Sequence, residues 1–151
     1  MDYYSKIAKS YNELHEEEQI KKLKIIKQKA KLKGKILDLG SGTGLAKKFF
    51  KNIVCVDPAK NMLNKRDICA KAEKLPFKDK SFDSVLCVTA IHHFNLKKAI
   101  PEIKRVSRED CRYAISILKK AKNFNKIKKT LHDNFELKEI EEEKDMILIS
   151  K

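Results

Sequence analysis

The chain has 151 residues, of which 42% are hydrophobic and 37% charged, and its formal net charge is +14. This length suits one domain, 1–151, with a substantial core, and the hydrophobic content argues against intrinsic disorder. No apolar run approaches the ~18 residues that cross a bilayer. The four cysteines are scattered singly, which disfavours zinc ribbons, iron–sulfur clusters and disulfide scaffolds. We therefore expect a cytoplasmic protein with no metal and no membrane partner.

The N-terminal region, 1–33, predicts two helices that cover the functional site. The first is expected at 3–14 and the second at 16–32, with Gly34 ending the second. In the second helix, apolar residues recur three to four positions apart, as on one helical face. These residues are Ile20, Leu23, Ile26 and Ala30.

An α/β core is expected over 34–151, where short apolar runs alternate with helical stretches. Such alternation is typical of a Rossmann-like doubly wound sheet with mostly parallel strands. Two further runs near the C-terminus follow each other closely, which predicts an antiparallel hairpin. The predicted strands are 35–40, 52–57, 68–70, 82–90 and 112–118, with hairpin strands 136–143 and 144–150. The predicted helices are 45–52, 59–66, 96–106 and 124–131.

The most informative segment is LDLGSGTG at 37–44, which follows the first core strand. Its glycines Gly40, Gly42 and Gly44 allow positive φ and a close approach of the backbone to a ligand. The helix expected next would offer free N–H groups at its N-terminus. Asp57 ends the second core strand, where an acid can bind ribose hydroxyls at the point of strand-order reversal.

Two ligand classes compete for this loop. Dinucleotide enzymes use G-x-G-x-x-G, whereas this chain has G-x-G-x-G with Asp38 two residues before the first glycine. A pyrophosphate gains nothing from a neighbouring carboxylate. A ligand with an amino group does, and S-adenosylmethionine has a ribose, an amino-acid end and no phosphate.

At this point the sequence resembles the class I S-adenosylmethionine-dependent methyltransferases, especially the small ubiquinone-biosynthesis-like branch. The likeness covers nearly the whole chain, and its motifs occur in the family's order. LDLGSGTG is similar to the first motif and VDPAKNML to the second. AEKLPFKDKSFDSV precedes the fourth strand, VTAIHHF resembles the substrate-side motif, and IPEIKRV resembles the helix that follows.

The resemblance implies S-adenosylmethionine as cofactor and S-adenosylhomocysteine as product. It places Asp38 near the methionine amino group, Asp57 on the ribose hydroxyls, and Thr89 beside the methionine portion. The remaining implied contacts belong to the glycine loop, the adenine surroundings and an N-terminal cover. They are Gly40, Ser41, Gly42, Gly44, Pro58, Met62, Ala72, Glu73 and Tyr11.

One departure from the family lies beside the expected adenine position. Lys71 stands where many relatives carry an acid that accepts from the adenine amino group. The resemblance then leaves Glu73 for that role, or else backbone and packing alone.

Methyl transfer from a sulfonium is a direct displacement that needs alignment and exclusion of water. His92 and His93 follow the fourth core strand and are the candidate catalytic bases, since histidine titrates near neutrality. The alternative is that one of them orients a loop or ligand without moving a proton.

The absence of an Asn/Asp-Pro-Pro-Tyr motif after the fourth strand disfavours methylation of exocyclic base nitrogens. We expect methyl transfer to an O, N or C nucleophile of a small-molecule substrate. The first alternative is a tRNA-modifying enzyme of the wobble-uridine carboxymethyl type, working with a small activator protein. The basic composition and VTAIHHF favour that alternative. The lesser alternative is a non-catalytic subunit that binds S-adenosylmethionine.

Overall fold

A seven-stranded sheet forms the centre of the computed structural model, which describes residues 3–151 apart from the side chains of residues 3–12 and Met62. The strands are β1 Ile36–Leu39, β2 Ile53–Asp57, β3 Ile68–Cys69, β4 Phe82–Val88, β5 Ser107–Leu118, β6 Leu137–Glu141 and β7 Asp145–Ser150. Their order across the sheet is β3-β2-β1-β4-β5-β7-β6. The first five strands in that order are parallel, and β7 is antiparallel to both of its neighbours. The predicted mostly parallel Rossmann-like sheet with a C-terminal antiparallel hairpin is confirmed.

Helices cover both faces of the sheet. They are α1 Tyr3–Lys29, α2 Leu96–Val106 and α3 Phe124–Asn134. On one face, Leu23 and Ile26 of α1 are buried against Leu86 and Ile147 of the sheet. On the other face α2 and α3 pack in a larger apolar cluster. Among the described helices, none is both long and apolar enough to span a membrane.

The prediction of two N-terminal helices is wrong, because α1 runs without interruption from Tyr3 to Lys29. No glycine or proline occurs within this span, so nothing in the backbone forces a break near residue 15. The helix also ends earlier than expected. Lys31 adopts a left-handed conformation with φ of 51°, and Gly34 follows with φ of 57°.

The helices predicted at 45–52 and 59–66 are also wrong. The structure has single 3₁₀ turns there, Leu45–Lys48 and Lys60–Met62. A helical crossover between parallel strands needs roughly a dozen residues. The glycine loop uses five of the residues that join β1 to β2, so too few remain for a full helix. By contrast, α2 has the predicted bounds, and α3 extends the predicted helix to Asn134.

The strand order reverses between β1 and β4. From β1 the chain moves outwards to β2 and β3, then returns to the opposite side of β1 as β4. Loops that follow β1 and β4 therefore separate in opposite directions and leave a crevice at the carboxyl edge of the sheet. The glycine loop and a 3₁₀ turn at Ile91–His93 both lie at this edge.

Candidate functional site

The glycine loop packs directly against the segment that follows β4. Gly40 has φ of 68°, and a Cβ atom added there would lie 2.5 Å from the Cβ atom of Ala90. The Gly40 N–H also donates to the Val56 carbonyl at 2.8 Å. A side chain at Gly40 would therefore be both strained and obstructed, so glycine is required at this position.

Asp57 joins the end of β2 to the glycine loop. Its Oδ2 atom accepts from the Gly42 N–H at 2.9 Å, and its Oδ1 atom accepts from the Ala59 N–H at 2.8 Å. Each carboxylate oxygen can accept a further hydrogen bond. Backbone donors thus hold the side chain against the glycine loop, and it retains acceptor capacity toward a ligand hydroxyl. Asp57 is not among the residues that line the two cavities beside this loop.

Two cavities meet at Gly40, which lines both. The first, which we call the α1-side cavity, has a volume of about 180 Å³ and is bordered by α1, the glycine loop and the end of β4. The second, the β3-side cavity, has a volume of about 210 Å³ and is bordered by the ends of β2 and β3 and the turn after β4.

Asp38 lies at the α1-side cavity and is only 4% exposed. Burial raises the pKa of its carboxyl group to about 8, although a contact from the Cys55 thiol at 3.8 Å acts in the opposite direction. Near neutral pH the free protein therefore holds Asp38 protonated. A cationic amino group in the cavity would favour the ionised carboxylate.

Thr89 directly follows β4 and belongs to a buried polar network at the α1-side cavity. Its φ is 53°, and its N–H donates to the Ser116 hydroxyl at 2.9 Å. Its own hydroxyl donates to Asp145 Oδ2 at 2.6 Å and accepts from Lys22 Nζ at 3.0 Å. Lys22 and Asp145 are also an ion pair, with Nζ 3.0 Å from Oδ1 and side chains 3% and 0% exposed.

Sequence reasoning missed this ion pair. Lys22 is one of eight lysines within residues 21–35, and Asp145 lies in a predicted hairpin strand with no local sign of burial. The available signal was helical spacing, because Lys22 precedes Ile26 by one turn on the face that packs on the sheet. It also missed His15 and Gln19 of α1, which line the α1-side cavity.

The two candidate bases point to different places. His93 lines the β3-side cavity, whereas His92 lines a separate groove beside α2 and α3. Their rings are close, with centroids 4.0 Å apart. Burial, and after it the neighbouring His93, lower the pKa of His92 below its ordinary value. Its Nδ1 atom is buried without a hydrogen-bond partner in the part of the chain that the structure describes.

The structure brings most of the predicted cofactor residues to this one site. Asp38, Ser41 and Thr89 line the α1-side cavity together with Gly40 and Gly42. The β3-side cavity is lined by Pro58, Ala72 and Glu73, with Lys71 beside them. Gly44 begins the 3₁₀ turn that follows the loop, with φ of 81°. The side chains of Met62 and Tyr11 lie outside the described residues, so their roles stay predictions.

The residues present fit S-adenosylmethionine. The buried Ser41 hydroxyl lines the α1-side cavity and has no hydrogen-bond partner among the described residues. Gly40 leaves open a space that a Cβ atom would fill. Asp57 is the acid available for a ribose, and Asp38 is the acid available for an amine. Among the described residues, no lysine or arginine that could bind a phosphate lines the cavity next to Asp38.

Comparison with known families identifies one match. A family described as a methyltransferase domain matches residues 37–115, which extend from the glycine loop through β4 and α2 into β5. The match therefore includes every strand that borders the two cavities.

Individual relatives share long stretches of this sequence. The chain is 40% identical over 119 residues to "Uncharacterized protein MJ1252" of Methanocaldococcus jannaschii, covering 72% of this chain and 47% of that protein. It is 33% identical over 99 residues to "Uncharacterized methyltransferase YcgJ" of Bacillus subtilis, covering 54% and 39%. This chain spans about half the length of the curated relatives it matches.

Solved structures show the same fold. The YcgJ crystal structure superposes with a TM-score of 0.57 at 31% identity, covering 64% of this chain and 50% of that one. A crystal structure described as a SAM dependent methyltransferase from Aquifex aeolicus superposes with a TM-score of 0.66 at 18% identity, covering 85% and 87%. At that identity the second likeness bears on the fold alone.

Proposed function

Since the chain belongs to the methyltransferase-domain family, we propose that it binds S-adenosylmethionine and transfers a methyl group to an O, N or C nucleophile of a small molecule. The observation that carries this proposal is the pair of cavities that share Gly40, with Asp38 lining one of them and Asp57 bonded to the glycine loop at Gly42. When bound, the cofactor supplies a methyl group activated by a sulfonium. Placement in the small ubiquinone-biosynthesis-like branch is part of the proposal.

The chain's own residues divide the work of holding the cofactor. Asp57 accepts from the ribose hydroxyls with its remaining lone pairs, while its hydrogen bond from the Gly42 N–H keeps the loop in place. Adenine occupies the β3-side cavity, where Ala72 is buried and the Glu73 carboxylate is held by the Asn95 N–H at 2.9 Å. The amino-acid end enters the α1-side cavity and meets Asp38.

A third cavity supports a small-molecule acceptor. This groove, of about 570 Å³, lies between the turn after β4 and helices α2 and α3. Its volume is within the range of small-ligand sites. It combines apolar side chains such as Ile100 and Ile127 with the polar side chains of Asn123 and Thr130, and Phe94 lines both it and the β3-side cavity.

His92 is the candidate base on the acceptor side, because it lines this groove. Its lowered pKa favours the neutral ring at pH 7, which is the form that accepts a proton. The position of His93 in the β3-side cavity places it nearer the expected adenine. We expect His92→Ala to lower turnover while leaving cofactor affinity unchanged. His93→Ala is the matched comparison, and full activity of both variants would remove both as bases.

Calorimetric titration with S-adenosylmethionine tests the proposed function. The wild-type protein should bind, and Asp57→Ala should weaken binding about tenfold or more, because it removes hydrogen bonds to a charged acceptor. Asp133→Ala, which removes the same charge from the exposed face of α3, should bind like the wild type. No binding by the wild-type protein at micromolar concentration would overturn the proposal.

A tRNA acceptor, with a small activator protein, is the second candidate. It is favoured by three exposed lysines in an acid-free segment: Lys24 and Lys27 on α1, and Lys31 just after the helix. Bulk tRNA should then bind in a salt-sensitive manner and heparin should not. Replacement of these three lysines by alanine should abolish that binding. Equal affinity for tRNA and heparin would show that these lysines form only a non-specific basic surface.

A further inference from the structure

The orientation of one amide on α1 is determined by its neighbour. Lys22 Nζ donates to Gln19 Oε1 at 2.9 Å. An ammonium group can only donate, so the Gln19 atom that faces it must be the oxygen. Lys22 Nζ also donates to Thr89 Oγ1 at 3.0 Å and forms an ion pair with Asp145 Oδ1 at the same distance. The buried ammonium, held in place by Thr89 and Asp145, keeps the Gln19 oxygen turned toward it.

The Gln19 amide nitrogen is therefore left for the α1-side cavity. Gln19 is half-buried and lines that cavity, and its Nε2 atom donates no hydrogen bond within the described part of the chain. An amide nitrogen offers two N–H donors and no acceptor. The side chain consequently presents donors to whatever occupies the cavity.

We propose that Gln19 binds the carboxylate of the amino-acid end of S-adenosylmethionine through its Nε2 donors; this rests on the proposed function of the site. An amino acid brings two charges into the cavity, and Asp38 accounts only for the ammonium. No lysine or arginine lines the cavity among the described residues, so the donors that remain for the carboxylate belong to side chains such as Gln19, His15 and Ser41. Of these, Gln19 is the one whose orientation is fixed by a buried neighbour. Lys22 is a positioning residue here, since it acts through the Gln19 amide.

The binding affinities of two ligands for three proteins test this proposal. The ligands are S-adenosylmethionine and its decarboxylated form, which keeps the adenosine, sulfonium and amine but lacks the carboxylate. The proteins are the wild type, Gln19→Met and Gln19→Glu. Gln28→Met serves as the control, because it removes an exposed amide from the same helix. Circular dichroism and thermal unfolding establish that each variant is folded.

Gln19→Met should weaken S-adenosylmethionine binding about tenfold and leave the decarboxylated ligand almost unaffected, as expected for one hydrogen bond to a charged group. Gln19→Glu keeps an acceptor for Lys22 but presents a carboxylate to the cavity. It should weaken S-adenosylmethionine more than Gln19→Met does and should not weaken the decarboxylated cation. Gln28→Met should bind both ligands like the wild type.

Two results would overturn the inference while the proposed function stands. One is equal loss of affinity for both ligands in Gln19→Met, and the other is no loss for either. Failure of the wild-type protein to bind either ligand would instead overturn the proposed function, and this inference with it.

Discussion

Replacing Lys22 by methionine should destabilise the protein strongly, although the substitution lies on a lysine-rich helix where most changes are harmless. Lys22→Met keeps the length and the apolar stem of the side chain but removes the ammonium. The ammonium contacts Asp145, Gln19 and Thr89 in the native state. Its loss leaves the Asp145 carboxylate at 0% exposure with the Thr89 hydroxyl as its remaining close side-chain donor.

The size of the effect follows from burial. Removing one member of a buried ion pair costs about 3–5 kcal/mol, since the other charge is left without a partner in a poorly solvating environment. Replacing both members costs less, because no unpaired charge remains. We therefore expect the double variant Lys22→Met, Asp145→Leu to be more stable than Lys22→Met alone. In that variant the Thr89 hydroxyl can turn to Gln19 Oε1, which is 3.3 Å away.

Urea unfolding followed by circular dichroism measures these free energies. The control is Lys144→Met, which breaks the neighbouring exposed pair between Lys144 and Glu18. That pair connects the same two parts of the chain as the pair between Lys22 and Asp145. Because that pair is solvated, its loss should change the free energy of unfolding little. If Lys22→Met behaved like Lys144→Met, or if the double variant were less stable than Lys22→Met, the reasoning from burial would be refuted.

Three further predictions concern the cavities. Gly40→Ala places a methyl group at positive φ against Ala90, so thermal unfolding should show a loss of at least about 1–2 kcal/mol and calorimetry a weaker cofactor affinity. Gly34→Ala is the comparison, because the three atoms nearest to its added Cβ belong to the Asp83 side chain; it should lower stability without weakening cofactor binding, and equal cofactor affinity in the two variants would contradict the assignment of Gly40. Cofactor affinity of the wild type relative to Asp38→Asn should rise with pH up to about 8, because a bound ammonium requires the ionised carboxylate. If the ratio of the two affinities did not change with pH, the proposed contact between Asp38 and the ammonium would be wrong. Without cofactor, the native state holds a proton on Asp38 that the unfolded chain releases. The unfolding free energy of the wild type relative to Asp38→Asn should therefore fall as pH rises from 3.8 towards 8. An increase over that range would contradict the raised pKa.

Local sequence patterns predicted the strands well and the helices less well. Short apolar runs bounded by glycine or acids mark β1, β2 and β4, because strands covered on both faces need apolar side chains throughout. Helical propensity did not reveal that 45–52 and 59–66 are too short to form helices beside the sheet. These segments form 3₁₀ turns because few residues connect the neighbouring strands, and helical propensity carries no information on where the strands lie.

The order of the strands was beyond local patterns as well. The C-terminal hairpin was predicted, but not that β7 lies between β5 and β6. Every residue of β7 from Asp145 to Ser150 is buried, as expected for an inner strand, whereas β6 at the edge is mostly exposed. Burial on this scale depends on which strands become neighbours.

The amino-acid sequence by itself determined the parts of this site that the backbone makes: the glycine loop and the aspartate at the end of β2. Their chemistry is local, since positive φ and a strand-end carboxylate need only a few consecutive residues. Only the tertiary structure decided that Lys22 meets Asp145 and Gln19, and that burial raises the pKa of Asp38 to about 8. These properties arise from desolvation and from partners far apart in the chain, and both exist only once the chain has folded.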